Sequence, residues 1–210
     1  MSQRLKEGRL SFILKVFSAL LFLPQLVCAT VDSSPIGLIQ NGTDRALVIL
    51  RQSQRGEAPT LRQRKDEIMR VVDEYFNFEE MGKRALGRPW KDQTPDKQRE
   101  FAQLFKQLLF NTYVNRLENY AGTNERVFYD SEKLDGDYAF VKTHILYQGS
   151  KSIEIDYRLH RDACGWKVYD VVVEGISFVD NYRSQFTSIL TNDSFESLLR
   201  QLRQKIQQSS

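Results

Sequence analysis

The 210-residue chain is 41% hydrophobic and 27% charged, with a mean hydropathy of −0.47. These proportions suit a folded chain with a substantial core and exclude a polytopic membrane protein or a disordered tail; 11 Gly and 5 Pro exclude a collagen-like chain. Two Cys and two His are too few for a zinc module or a haem site, while the formal charge of +3 hints at nucleic acid or an anionic surface and has to be located before it is used.

Most of that charge sits at the start. Arg4, Lys6, Arg9 and Lys15 precede an apolar run from Val16 to Leu23, Pro24 breaks the run, and Val27 with Ala29 meets the small-residue rule for cleavage. The sequence therefore predicts an export signal over residues 1–29, cut after Ala29, and a single domain over residues 30–210. A lipoprotein anchored through Cys28 is the competing reading, and Gln25-Leu26-Val27 lacks the small residue it needs. The leader holds four of the basic residues and one of the acidic ones, which leaves 26 of each in the remainder. The mature chain is thus expected to be neutral, which removes the argument for nucleic acid. Cys164 is expected as a lone thiol in the turn Asp162-Ala163-Cys164-Gly165.

In chain order, Asn41-Gly42-Thr43 reads as a turn and cap ahead of a short helix from Asp44 to Gln54. Beyond Pro59, Leu61, Ile68, Val71, Val72, Tyr75 and Phe76 recur at helical spacing. Asn77 with Glu80 reads as a capping box, Phe76 with Met81 as a hydrophobic staple, and Gly87 as the helix stop. Thr94-Pro95 opens a long helix with an aromatic stripe: Phe101, Leu104, Phe105, Leu108, Leu109, Thr112, Tyr113, Leu117 and Tyr120. From residue 125 the period falls to two. Ile153, Ile155, Tyr157 and Leu159 alternate with Glu154, Asp156, Arg158 and His160, and Asp135-Gly136 and Gly149-Ser150 mark turns. A strand from Trp166 to Glu174 follows, then a helix from Phe178 to Leu190 and a last one opened by Asp193 and Glu196. The order predicts an α+β fold, with helices packed on one face of a roughly four-stranded antiparallel sheet.

Titratable groups that could converge on a reaction are few. His144 and His160 fall on strands, His160 in the polar phase, and no G-x-S-x-G elbow, phosphate loop or H-E-x-x-H occurs. Asp156 is expected at the surface, and Asp170 or Glu174 partly buried. Arg62, Arg64 and Lys65 are followed at once by Asp66 and Glu67, as on a solvated helix face. What the chain has in abundance is 13 Phe and 9 Tyr, which either fill a core or line an apolar cavity.

Phe78-Glu79-Glu80-Met81 leading to Ala85-Leu86-Gly87-Arg88-Pro89-Trp90, then Thr94-Pro95, Arg99 and the Phe101/Phe105 stripe, resembles the MlaC family of exported phospholipid-binding proteins, also called the toluene-tolerance family. The second half agrees through Ile155-Asp156-Tyr157-Arg158-Leu159, the segment Trp166 to Ser177, and Asn181-Tyr182-Arg183-Ser184-Gln185-Phe186. The chain departs at Gly149-Ser150-Lys151-Ser152, where a proline is expected. The resemblance implies a cone-like (NTF2-like) α+β fold with an apolar cavity, no enzymatic activity and no cofactor. It also implies a monomeric periplasmic carrier that moves diacyl phospholipid between an outer-membrane lipoprotein complex and the substrate-binding subunit of an inner-membrane ABC transporter, and so maintains outer-membrane asymmetry. Under that reading Phe105, Leu109 and Tyr113 face Val141, Ile145, Ile155, Tyr157, Val171 and Val173 across the cavity. Met81, Leu86 and Trp90 form a wall or mouth, and Lys167 or Arg183 meets the headgroup phosphate. The rivals are a cone-fold enzyme acting on a small apolar substrate through Asp170 or Tyr169, and a periplasmic chaperone or adaptor.

Overall fold

The computed structural model describes residues 34–52, 60–120, 125–147 and 151–208. The leader, the Gly149-Ser150 turn and the side chains of Leu61, Leu117 and Tyr120 lie outside the described residues. Among the described residues the order is α1 (Pro35–Gln52), α2 (Leu61–Tyr75), α3 (Phe78–Leu86), a 3-10 turn (Arg88–Asp92), α4 (Pro95–Tyr120), β1 (Arg126–Asp135), β2 (Tyr138–Tyr147), β3 (Lys151–Asp162), β4 (Gly165–Val173), β5 (Ile176–Ser177), α5 (Phe178–Asn192) and α6 (Phe195–Gln208). The fold is α+β, with helices over an open antiparallel sheet in the order β1-β2-β3-β4-β5.

The local signals that end in a cap held best. Asn77 Oδ1 accepts the Glu80 N–H at 2.9 Å, and Gly87, at φ 70°, donates to the Lys83 carbonyl and ends α3. The second half of the expected box is missing because the Asn77 N–H already donates to the Val168 carbonyl. That bond, with a parallel bridge from Phe76 to Val168, fixes the start of α3 against the edge of β4. Glu80 turns instead to Lys83 and Arg84. Thr60 and Gln63 form a full capping box on α2, which the sequence reading passed over. At α6 the cap is Ser194, whose hydroxyl accepts the Ser197 N–H, and not Asp193; Glu196 pairs with Lys97.

Two expectations are corrected. Asn41-Gly42-Thr43 is no turn: α1 runs through it, because a Cβ on Gly42 would lie 3.1 Å from the Tyr75 ring, so the glycine lets two helices approach closely. Cys164 is disulfide-bonded, and the sequence's one other cysteine, Cys28, lies outside the described residues. The lone-thiol reading applied only to a chain already cut after Ala29.

β4 and β5 are joined by Glu174 at φ 49° and Gly175 at φ 78°, the two left-handed residues of a type I′ hairpin. Beside it, Asp170 is 0% exposed. Its carboxylate accepts from Arg158 Nη1 at 3.0 Å, the Ser177 hydroxyl at 2.6 Å and the Val179 N–H at 3.0 Å. It thereby ties the first turn of α5 to β4.

Candidate functional site

The β2–β3 ladder runs without a bulge, so Ala139, Val141 and Ile145 share one side with Leu159, Tyr157 and Ile153, their partners. Across β3 and β4, Tyr157 stands opposite Val171 and Ile155 opposite Val173. Val141, Ile145, Ile155, Tyr157, Val171 and Val173 therefore form one apolar inner face. Val141 and Val171 are buried, whereas Ile145, Ile155, Tyr157 and Val173 keep accessible surface.

The helical half of the expected site behaves differently. Met81, Leu86, Trp90, Phe105 and Leu109 are buried in a second cluster with Phe101, Phe186, Leu198, Leu199 and Leu202. Its rings interlock: Phe105 meets Tyr182 edge-on at 5.1 Å and Phe101 meets Phe186 at 5.4 Å. The closing helices α5 and α6 cover the α4 stripe that the sequence reading turned toward the sheet. These five side chains are buried in a helical core rather than facing the sheet cluster. Tyr113 alone of the helical set keeps accessible surface, and its ring stacks on Phe178 at 4.1 Å. Phe178 and Phe76 pack against both clusters and join them.

α1 lies along β1 and is fastened to it at three levels. The Ile36 N–H donates to Glu132 Oε2 at 2.7 Å, and Arg51 pairs with the buried Glu125 at 3.0 Å. Between them the Thr43 hydroxyl interacts with the phenols of Tyr129 and Tyr157. The spacing fits: from Ile36 to Arg51 a helix rises about 22 Å, and from Glu132 to Glu125 a strand covers about 23 Å. Burial pushes the Tyr157 phenol far above its ordinary value, with Tyr129 adding to the shift and Thr43 opposing it.

The expected headgroup cations are elsewhere. Lys167 bonds the Glu74 carbonyl, beside the buried Leu159–Val168 pair, and Arg183 lies over Gly87 on the helical layer, its Nε 3.8 Å from where a Cβ would stand. The opposite face of the sheet carries a polar depression of about 320 Å³ lined by Asp130, Lys142, Thr143, His144, Ser152, Glu154 and Asp156. There His144 Nδ1 is 2.8 Å from Asp130. Among the described residues no group of three or more His, Cys, Asp or Glu is arranged to hold a metal, and no helix is long and apolar enough to cross a membrane. Asp170, offered by the rival enzyme reading, has its carboxylate taken up by three donors. Tyr169 is raised by burial, with Arg84 acting against it.

The architecture defines an α+β protein in which an open antiparallel sheet presents a partly covered apolar face to a helical layer. Residues 40–204 match the family model described as MlaC protein. The chain belongs to the MlaC family. It is 24% identical over 189 residues, 86% of each chain, to the intermembrane phospholipid transport system binding protein MlaC of Haemophilus influenzae. It is 30% identical over 98 residues to the toluene tolerance protein ttg2D of Pseudomonas putida, covering 46% of this chain and 45% of that one. Its fold is similar to that of a phospholipid-binding protein from Ralstonia solanacearum solved in complex with a phospholipid, with a TM-score of 0.75 and 24% identity over 84% of this chain and 99% of the other.

Proposed function

We propose that this chain is a phospholipid carrier of the periplasm, exported by the leader and cut after about Ala29, with residues 30–210 acting as a single monomeric domain. It exchanges lipid between an outer-membrane lipoprotein complex and an inner-membrane ABC transporter, and does no covalent chemistry. The observation that carries the reading is the row of accessible apolar side chains on the inner sheet face, Ile145, Ile155, Tyr157 and Val173, at the seam where Phe178 packs on the sheet cluster and stacks on Tyr113. Family membership and the phospholipid transport named for the Haemophilus relative support the same reading.

The energetics require an enclosed site. Exposing two acyl chains to water costs about 0.8 kcal/mol per CH₂, or on the order of 25 kcal/mol for a diacyl lipid. A carrier that encloses both chains offsets most of that cost, so transfer between similar apolar environments runs close to thermoneutral. Solvent extraction of the protein purified from a Gram-negative host, followed by mass spectrometry, tests the reading. Stoichiometric phospholipid is expected, and a folded, lipid-free protein that also takes up none from vesicles overturns it. An intact mass starting at Thr30 checks the leader.

A further inference from the structure

The inner face of the sheet is graded from one end to the other. At the end with the β1–β2 and β3–β4 turns, Ala139, Val141, Leu159, Trp166 and Val168 are buried, and Ile39 of α1 closes over them. Arg161 covers that end, its guanidinium 5.8 Å from the Trp166 ring centre. Toward the other end, Ile155, Ile153 and Ile145 on the same side are only half-buried. The last rung on that side pairs half-buried Tyr147 with Lys151, which is exposed and makes no ion pair with any described residue. The neighbouring cation at that end, Arg51, is already committed to Glu125.

We infer that a phospholipid held on this face lies along the gradient, its chain ends toward Leu159 and Trp166 and its phosphodiester beside the Lys151 ammonium. The inference rests on the carrier reading and adds to it an orientation and a headgroup contact. Acyl chains gain most where water is excluded, which is the Val141–Leu159–Val168 end. A phosphodiester must stay hydrated and gains from a cation that can reach it. A lysine stem lies along apolar surface while its ammonium remains in water, so Lys151 at the end of an apolar row suits that place. The reverse orientation would desolvate the phosphate against three fully buried aliphatic side chains.

Trp166 is a probe already in position. The protein is loaded from vesicles of phosphatidylglycerol brominated either near the chain ends or near the carbonyls, and tryptophan quenching is measured. Trp90→Phe isolates Trp166; in the unmodified protein Trp90, within the helical cluster, adds a constant background, so the order of quenching is readable even if that variant folds poorly. Stronger quenching by the end-brominated lipid is expected, and the opposite order in a loaded protein overturns the orientation alone. For the headgroup contact, Lys151→Glu is expected to lower loading of phosphatidylglycerol relative to phosphatidylethanolamine by about fivefold. Lys142→Glu, on the outer face, is expected to leave the ratio unchanged. An unchanged ratio in Lys151→Glu overturns the contact, and a protein that takes up neither lipid overturns the carrier reading and this inference together.

Discussion

The ring of Phe178 lies face to face with that of Tyr113, 4.1 Å between centroids and 14° from parallel. One is the first residue of α5 and the other lies in α4, so the pair joins the helical core to the edge of the sheet face. Phe178 also packs against the sheet cluster, which makes it a shared element of both halves. Replacing it with Ala removes a stacked pair and leaves a gap at the seam. Phe178→Ala is expected to cost about 2–4 kcal/mol, read from the denaturant midpoint, with Phe178→Leu recovering most of it. An unchanged midpoint in Phe178→Ala would mean that the seam carries no stability.

Asp170 gives a second test. Arg158 reaches water, at 38% side-chain exposure, so the ion pair itself is screened and contributes the smaller share. The larger share comes from the Ser177 hydroxyl and the Val179 N–H, which would be left without a partner inside the protein. Asp170→Ala is expected to lower stability by about 2–4 kcal/mol, and Asp170→Asn by less, since the amide oxygen still accepts. Lipid content measured on the folded fraction should not change. A folded Asp170→Ala protein with normal stability but lost lipid would move Asp170 from fold to site.

The pH dependence has a definite sign on the alkaline side. The Tyr157 phenol is raised from 10.0 in the folded state, first by burial, and Tyr129 and Tyr169 are raised for the same leading reason. The folded protein therefore holds these protons more tightly than the unfolded chain. Their contribution is complete below the unfolded value and is lost as pH rises above about 10. Tyr157→Phe, which has no proton to lose, is expected to flatten the fall in unfolding free energy between pH 9 and roughly 11. An equal slope in wild type and variant would count against the buried phenol.

Gly42 separates helix propensity from packing. Ala is favoured over Gly in a helix by about 1 kcal/mol, but the added methyl would meet the Tyr75 ring at 3.1 Å. Gly42→Ala is expected to be close to neutral in thermal melts because the two effects offset. Gly42→Val, with a branched Cβ against the same ring, is expected to lose about 1–3 kcal/mol. A stabilised Gly42→Val would show that α1 and α2 do not need their close approach.

The same glycine shows where sequence reasoning reached and where it stopped. Asn77, Gly87, Thr94-Pro95 and Asp135-Gly136 act through hydrogen bonds or φ values within a few residues, and each was legible. Asn41-Gly42-Thr43 carries turn chemistry as strong as theirs, yet Tyr75, far away in sequence, needs the space. The aromatic stripe of α4 was found by its period, but a period says which residues face inward and not what covers them. Phe186, Leu198 and Leu202 cover it, so Met81, Trp90 and Phe105 became core. On β3, alternation put Ile155 and Tyr157 on one face with Ile153 and Leu159; on β4 a bulge brings Val168 and Val171 to the same face, which a strict period of two does not give. The placement of α1 over β1 rests on Glu132 and Glu125 meeting Ile36 and Arg51, long-range pairings that no local pattern encodes.

Two valines on adjacent inward positions of β4 separate wall from core. Val171 is 8% exposed and packed among Val141, Leu159 and Val168, while Val173, one inward step on, keeps accessible surface opposite Ile155. A Trp at 171 has nowhere to go: overpacking a filled site is expected to cost at least about 1–3 kcal/mol. A Trp at 173 can extend into the space beside Ile155, where it would take volume that acyl chains need. Val173→Trp is therefore expected to fold with a near-normal melting temperature and carry much less extractable phospholipid, whereas Val171→Trp is expected to lose stability first. The comparison is made by melting and lipid mass spectrometry on the same preparations. Full lipid content in a folded Val173→Trp protein would remove Val173 from the wall, and a well-folded, lipid-poor Val171→Trp would place the cavity deeper in the sheet than the burial gradient puts it.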